Sequence, residues 1–198
     1  KGAHYEGGMR VPLIAAWAKA DRNNPHQQRL PIAAGAIQGQ QAAVYDLFPT
    51  ILALAGARPP AGHTVDGLRL DTLLAGGRDA ARGETFLMHY PHAPHRSDYF
   101  TCYRRGDWKV IYHYFPSAAS ENSHYQLYDL AADPSESTNL AASDPGQLRS
   151  MMEGLAASLK AHNALYPVDQ DGNAMEPVLP WRGENRGRHQ PALFTVPP

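Results

Sequence analysis

Four runs rich in aromatic and β-branched residues fill much of the chain between residues 84 and 133, and this composition predicts β-strands. The runs are ETFLMHYP at 84–91, DYFTCYRRG at 98–106, DWKVIYHYF at 107–115 and YQLYDLAAD at 125–133. Because Gly106 and Asp107 supply a tight turn between the second and third runs, we expect neighbouring strands to be antiparallel. Alternation assigns the third run to two faces, with Trp108, Val110 and Tyr112 on one and Lys109, Ile111 and His113 on the other.

The segments on either side of these runs have other periods. Apolar residues at helical spacing predict a helix over about 145–163, and its buried positions are Leu148, Met152, Leu155 and Leu159. Residues 44–56 predict a second helix that begins at an Asp46 N-cap and ends at Gly56. The apolar run VPLIAAW at 11–17 predicts a short buried strand.

The totals limit the classes of partner. A formal net charge of −1 over 198 residues gives no general attraction to nucleic acid or to anionic lipid. No apolar run approaches the ~18–20 residues that span a bilayer. A single cysteine, Cys102, excludes an internal disulfide and a cysteine metal cage, and we expect it to be a buried small apolar residue. The chain begins without Met and without a signal segment, so we expect it to be cut from a longer chain.

The opening residues KGAHYEGGMR combine charge with backbone freedom. A lysine on a glycine-rich loop at the end of a strand suits an oxyanion such as phosphate, sulfate or carboxylate. Glu6 and Arg10 flank Gly7 and Gly8 and could form an ion pair that fixes the loop. A solvated terminus with a surface lysine explains the same residues, and chemistry alone favours that explanation.

A second candidate is the segment MHYPHAPHRSDY at 88–99. It contains His89, His92, His95 and Arg96 within eight residues, which can bind zinc or copper or donate hydrogen bonds to an anionic or sugar-like substrate. Two prolines keep the segment extended and disfavour a compact metal cage. A polar loop at the sheet edge is an equally good explanation.

Three segments resemble motifs of one family, in the same order and at the same spacing. KGAHYEGGMRVPLIAAW resembles the segment K-G-x-x-Y-E-G-G-x-R-V-P-x-I-x-x-W of type I sulfatases. VYDLFPTILALAGA is similar to that family's D-L-F-P-T helix. YRRGDWKVIY followed by YQLYDLAADPSESTNLA is similar to its C-terminal R-x-G-D-W/Y-K-L-I and L-Y-D-L-x-x-D-P-x-E-x-x-N-L-A patterns. The likeness covers about residues 1–160.

The resemblance implies a fold and a domain plan. Type I sulfatases have an alkaline-phosphatase-like α/β core followed by an α+β C-terminal subdomain, which is a four-stranded antiparallel sheet packed on a helix. Residues 1–75 would be the last part of the core, an α/β remnant, and residues 76–165 would be the subdomain. Residues 166–198 would form an extended tail rich in Pro and Gly.

The resemblance also implies site residues. The family's motif lysine contacts the substrate sulfate, a role that transfers to Lys1, while Glu6, Gly7, Gly8 and Arg10 would shape the loop. In a subset of sulfatases that includes enzymes of sulfated sugars, a segment similar to HYPH lies at the rim of the cleft. This makes His92 the first candidate for substrate recognition. His89, His95 and Arg96 are weaker candidates.

The family's calcium ligands and its formylglycine motif C/S-x-P-S-R have no counterpart in this chain, and Tyr103-Arg104-Arg105 after Cys102 departs from that motif. We therefore expect calcium and formylglycine to be held by a missing N-terminal sulfatase core, and no cofactor or metal to be bound by this chain. Alone, the chain should lack sulfatase activity.

Taken together, the sequence predicts part of a sulfuric ester hydrolase that acts on sulfated carbohydrates. The resemblance implies a periplasmic or secreted location, without nucleic-acid or membrane partners. Two other interpretations remain open. One is a phosphodiesterase or phosphonate hydrolase of the same superfamily, and the other is a non-catalytic module that binds a glycan or a metal.

Overall fold

The computed structural model describes residues 4–91 and 99–181, which form two compact units. One unit comprises residues 12–84. The other joins the segment up to residue 11 to the chain from residue 85 onward. The opening segment therefore folds with the second half of the chain, far from it in sequence.

A four-stranded antiparallel meander forms the centre of the second unit. Its strands are β1 (Thr85–Tyr90), β2 (Phe100–Arg105), β3 (Trp108–His113) and β4 (Tyr125–Asp129), in the spatial order β1-β2-β3-β4. Gly106, with φ of 59°, makes the tight turn between β2 and β3. The four predicted strands and the antiparallel arrangement are confirmed.

One face of this sheet, which we call the helix face, packs against the long helix α5 (Pro145–Ala161). Asp144 caps α5 by accepting from Gln147 N at 2.9 Å, and Pro145 begins its first turn. The predicted buried positions of this helix are confirmed, and Met151 joins them. They pack on Tyr103, Val110, Tyr112, Tyr114 and Leu127.

The opposite face, which we call the segment face, carries a smaller apolar cluster of Phe100, Cys102, Ile111, Tyr128 and Leu130. Three buried polar residues share this face by strand alternation: Lys109, His113 and Gln126. The predicted division of β3 is thus confirmed. Tyr5 and Met9 of the opening segment pack against the apolar cluster, so a short stretch of chain covers this side of the sheet.

Buried polar contacts connect the segments of the unit of residues 12–84. It contains the helices α2 (Pro25–Arg29), α3 (Leu47–Ala55) and α4 (Asp71–Leu74). The buried Asp46 carboxylate accepts from Leu68 N at 2.8 Å and from Arg82 Nη1 at 2.7 Å. Many of this unit's large apolar side chains are exposed, among them Ile14 at 90% and Ile37 at 99%.

One prediction for this region is wrong, and another holds only in part. Residues 11–17 form no strand and are largely exposed, because no strand in the described part of the chain pairs with them. Asp46 occupies the N-cap position of α3 as predicted, but its side chain makes no cap hydrogen bond to that helix. Its carboxylate instead accepts from Ala43 N at 2.8 Å and closes the 3₁₀ turn at Val44–Asp46. Gly56, with φ of 70°, ends α3 as predicted.

Residues 166–181 lie against the helix face. Tyr112 Oη accepts from Val178 N at 3.1 Å, and Tyr125 Oη donates to Val178 O at 2.6 Å. The Arg149 guanidinium sits 4.6 Å from the ring centre of Trp181. The first half of the Pro- and Gly-rich segment therefore extends the core of the second unit.

Gly154 provides a sharp test of the packing between α5 and the sheet. A Cβ at this position would lie 2.7 Å from Tyr103 Cε1 and 2.8 Å from Tyr103 Oη. Because the Tyr103 ring is buried in the core, it cannot move aside cheaply. We expect Gly154→Ala to lower the free energy of unfolding by about 1–2 kcal/mol, although alanine favours helices by about 1 kcal/mol. Urea denaturation measures this.

Gly146→Ala is the matched control. A Cβ there would find only Asp144 Oδ1, at 3.7 Å. We expect no loss of stability for Gly146→Ala. Equal effects of the two substitutions would contradict the close approach of α5 to Tyr103.

Candidate functional site

The segment that carries the sulfatase-like opening motif lies on the segment face, and His4 begins its described part. The His4 ring centre is 4.6 Å from that of Phe100 and 5.0 Å from that of His113. Burial, with smaller contributions from His113 and Lys109, lowers the pKa of His4 to about 3. His4 is therefore a neutral ring packed into the sheet.

Tyr5 extends this attachment through a buried amide. Tyr5 Oη donates to Gln126 Oε1 at 2.9 Å, and the same oxygen lies 2.9 Å from His113 Nε2. The Tyr5 ring also meets Tyr128 edge-on, with 6.3 Å between ring centres. Tyr5 thus has both a polar and an apolar contact with β4.

Glu6 attaches the segment through charged partners. Its Oε1 lies 3.1 Å from Lys109 Nζ and its Oε2 lies 3.4 Å from Arg104 Nη1. Lys109 is fully buried, and its ammonium is also 2.7 Å from Glu136 Oε1. The Glu6 backbone N–H donates to Glu136 Oε2, so Glu6 is bound through both its side chain and its main chain. We call Glu6, Arg104, Lys109 and Glu136 the ion cluster.

A turn after β4 aims Glu136 at this site. Glu136 has φ of 55°, a left-handed conformation that is uncommon outside glycine. Asp133 supports the turn by accepting from Ser137 N at 2.7 Å and Thr138 N at 2.8 Å. The hydrogen bond from Thr138 N leads the contributions that lower the pKa of the Asp133 carboxyl. The D-P-x-E pattern therefore builds a turn that presents a carboxylate to the sheet.

Part of this arrangement escaped sequence reasoning. Glu6 pairs with Lys109 and Arg104, so the predicted ion pair with Arg10 is wrong, and Arg10 is exposed. Gly7 and Gly8 lie in the single-turn helix α1 (Glu6–Met9). The available signal was the lysine directly before the apolar residues VIY in a strand-forming run. A lysine on a buried face requires a carboxylate partner.

His89 is the described member of the histidine-rich candidate segment, and it sits on the helix face near the end of β1. Its Nδ1 lies 2.7 Å from Thr101 Oγ1 and its Nε2 lies 2.6 Å from Leu165 O. Thr101 Oγ1 is in turn 2.9 Å from Tyr114 Oη. Both imidazole nitrogens thus have partners, one in the buried Thr101 and one in the backbone of Leu165. His92, His95, Arg96 and Lys1 lie outside the described residues.

The described residues offer no metal site, since no three of their His, Cys, Asp and Glu side chains are grouped to hold an ion. Cys102 is fully buried, as predicted, and burial raises the pKa of its thiol to about 12. That thiol stays protonated near neutral pH. Within residues 4–91 and 99–181, every helix is too short or too polar to cross a bilayer.

Comparison with known proteins identifies the family of this sequence. The sequence model of the family described as N-sulphoglucosamine sulphohydrolase, C-terminal, matches residues 1–164. The chain belongs to this sulfatase family. The match includes all three segments of the ion cluster, so the resemblance to sulfatases drawn from the sequence is confirmed.

Individual relatives carry different substrates in their names. Mouse steryl-sulfatase is 29% identical over 208 residues, which cover 91% of this chain and 30% of that protein. Mouse N-acetylgalactosamine-6-sulfatase is 42% identical over 77 residues, covering 38% of this chain and 13% of that protein. A protein solved in complex with its substrate D-glucosamine-2-N,6-O-disulfate shares 25% identity, with a TM-score of 0.48 over 60% of this chain and 24% of that one. The chain spans about a third of the length of the relatives it matches most fully.

The neutral state of His4 predicts a pH dependence. The pKa of His4 is about 3 in the folded chain and 6.5 in the unfolded chain, so between these values only the unfolded state is protonated. Stability is therefore lost as the pH falls below 6.5. We expect His4 to account for a loss of about 1.4 kcal/mol in the free energy of unfolding between pH 7.5 and 5.5.

His4→Phe should remove this contribution while keeping a ring against Phe100. Urea denaturation at the two pH values measures it, with the exposed His26→Gln as the matched control. If the stability of His4→Phe falls with pH as steeply as that of the unmodified chain, His4 is not the group responsible.

Proposed function

We propose that this chain is the C-terminal portion of a sulfuric ester hydrolase, with residues 1–75 completing its core, 76–165 forming its subdomain and 166–198 its tail. Membership of the family described as N-sulphoglucosamine sulphohydrolase, C-terminal, carries the proposal. The same family favours the sulfatase over a phosphodiesterase, a phosphonate hydrolase or a non-catalytic module.

In this proposal Lys1 contacts the sulfate of the substrate. Its ammonium would stabilise the negative charge that develops on the sulfuryl oxygens and the leaving oxygen as the ester bond breaks. The attachment of the following residues supports the role, because His4, Tyr5 and Glu6 are all bound to the sheet. Three residue steps separate Lys1 from His4, which limits the Cα–Cα distance to about 11 Å.

Glu6, Gly7, Gly8 and Arg10 would shape this loop without touching substrate. Glu6 does so through the ion cluster. The glycines occupy the single turn of α1, and a Cβ at Gly7 would meet no atom within 4 Å. A side chain at position 7 would therefore fit without a clash with the described residues.

Calcium and formylglycine would be supplied by an N-terminal sulfatase core outside this chain. The described residues do not fit either group, because they hold no cluster of metal-ligating side chains and their cysteine is a buried, protonated thiol. Sulfate-ester cleavage would accordingly need both parts, with Lys1 as this chain's contribution. A periplasmic or secreted location would suit such an enzyme.

The substrate class would be a sulfated carbohydrate. The relatives include an N-acetylgalactosamine-6-sulfatase, and the histidine-rich segment offers neutral and cationic donors for sugar hydroxyls and sulfates. His92 would be the main contact, with His95 and Arg96 as weaker ones, while His89, whose two ring nitrogens already have partners, would act by holding the segment in place. The attachment of His89 to Thr101 and Leu165 supports a role at the base of this segment.

Substitution of Lys1 tests the proposed chemistry. In the complete polypeptide that contains this chain, Lys1→Ala should lower kcat/KM for a sulfate ester by about 100-fold or more, because one preorganised contact to developing charge is lost. Lys1→Arg should retain more activity than Lys1→Ala. Turnover of 4-nitrophenyl sulfate measures both, and 4-nitrophenyl phosphate should be a much poorer substrate. Preference for the phosphate ester would contradict the proposal, as would turnover of the sulfate by this chain alone.

Substitution of His92 tests substrate recognition separately. We expect His92→Ala to raise KM for a sulfated disaccharide by about 10-fold, the cost of one lost hydrogen bond to a charged group. The KM for 4-nitrophenyl sulfate, which has no sugar, should change little. Equal changes for the two substrates would remove His92 from sugar recognition.

A further inference from the structure

We propose that Lys109 is a positioning residue for Lys1, acting through the ion cluster. The inference rests on the proposed function, since it concerns the same lysine. Lys109 is in the middle of β3 and is fully buried. It is separated from Lys1 by more than a hundred residues of sequence, yet its ammonium is 3.1 Å from the carboxylate of Glu6, five residues after Lys1.

The free-energy cost of burying the charges of the ion cluster indicates that they do more than stabilise the fold. Removing an ammonium and a carboxylate from water costs several kcal/mol per ion, and well-packed apolar residues often give an equally stable core. The segment face already has an apolar cluster beside Lys109, including Cys102 and Ile111. What the charges add to apolar contacts is a fixed direction and register for the bound segment.

The geometry of the cluster restricts the segment at several atoms at once. Lys109 joins two carboxylates that are far apart in the sequence, Glu6 at 3.1 Å and Glu136 at 2.7 Å. Glu136 also accepts from the Glu6 backbone N–H, and Arg104 holds the second Glu6 oxygen. These contacts leave Glu6 little freedom to slide or rotate. Lys109 would thereby fix the position from which the chain just before Glu6 extends.

A charge-balanced variant tests this role without leaving one buried charge unpaired. Lys109→Met combined with Glu136→Gln removes one positive and one negative charge, and Glu6 keeps Arg104 as its partner. The matched control is Arg78→Met combined with Glu84→Gln, which removes an exposed pair 3.6 Å apart. Lys109→Arg retains the charge and should retain most of the function.

The first measurement is amide hydrogen exchange on this chain. In Lys109→Met/Glu136→Gln we expect the amides of Glu6, Gly8, Met9 and Arg10 to exchange at least tenfold faster. The amides in the β2–β3 ladder should keep their protection. Unchanged protection of residues 6–10, or an equal loss over the whole sheet, would overturn the positioning role whatever the activity is.

The second measurement is a double-mutant cycle in the complete polypeptide. We expect Lys109→Met/Glu136→Gln to lower kcat for a sulfate ester by about 10- to 100-fold with little change in KM, as a small displacement of a catalytic group does. Combined with Lys1→Ala, it should cause almost no further loss. If the double substitution lowers kcat by the same factor with and without Lys1, the role of Lys109 is structural only. The surface-pair control should leave kcat unchanged.

The two measurements separate the failure of this inference from that of the proposed function. Faster exchange of residues 6–10 in a protein that does not cleave sulfate esters would keep the anchoring and reject the sulfatase. Sulfate-ester cleavage by a protein in which the amides of residues 6–10 keep their protection from exchange would reject the anchoring and keep the proposed function.

Discussion

The second unit depends on a buried ammonium that bridges two distant parts of the chain. Lys109 has no exposed surface, so its charge is tolerated only because Glu6 and Glu136 supply carboxylates within 3.1 Å and 2.7 Å. Glu6 comes from the opening segment and Glu136 from the turn after β4. The pairing of one buried cation therefore joins Glu6 to a sheet that begins at residue 85, beside the ring and hydrogen-bond contacts of His4 and Tyr5.

The two faces of the sheet are stabilised differently, and the difference suits the proposed function. The helix face is covered by seventeen residues of α5 and is dominated by apolar contacts, which tolerate volume-conserving exchanges. The segment face is covered by a few residues bound through hydrogen bonds and ion pairs with defined directions. A substrate-contacting lysine benefits from the second kind of attachment, because catalysis depends on placement more than on burial.

Sequence reasoning was most accurate where the pattern was local. The alternation of β3, the turn at Gly106 and the spacing of Leu148, Leu155 and Leu159 depend on neighbours within a few residues, and all are confirmed. It was least accurate where the partner was remote. Residues 11–17 have strand-like composition, but composition supplies no ladder partner, and they remain largely exposed. Glu6 was assigned to the nearest cation, Arg10, when its partners are about a hundred residues away.

The sequence by itself determined the family, the four strands and the long helix, because motifs and periodicity are written in consecutive residues. It also predicts that Lys1 and the histidine-rich segment carry the chemistry. Only the tertiary structure decided that the opening motif folds onto the sheet, that Lys109 holds it there, and that His89 is tied to Thr101 and Leu165. These are pairings between residues far apart in the chain, and a charge in a sequence does not reveal its counter-ion until the backbone brings the two within a few ångströms.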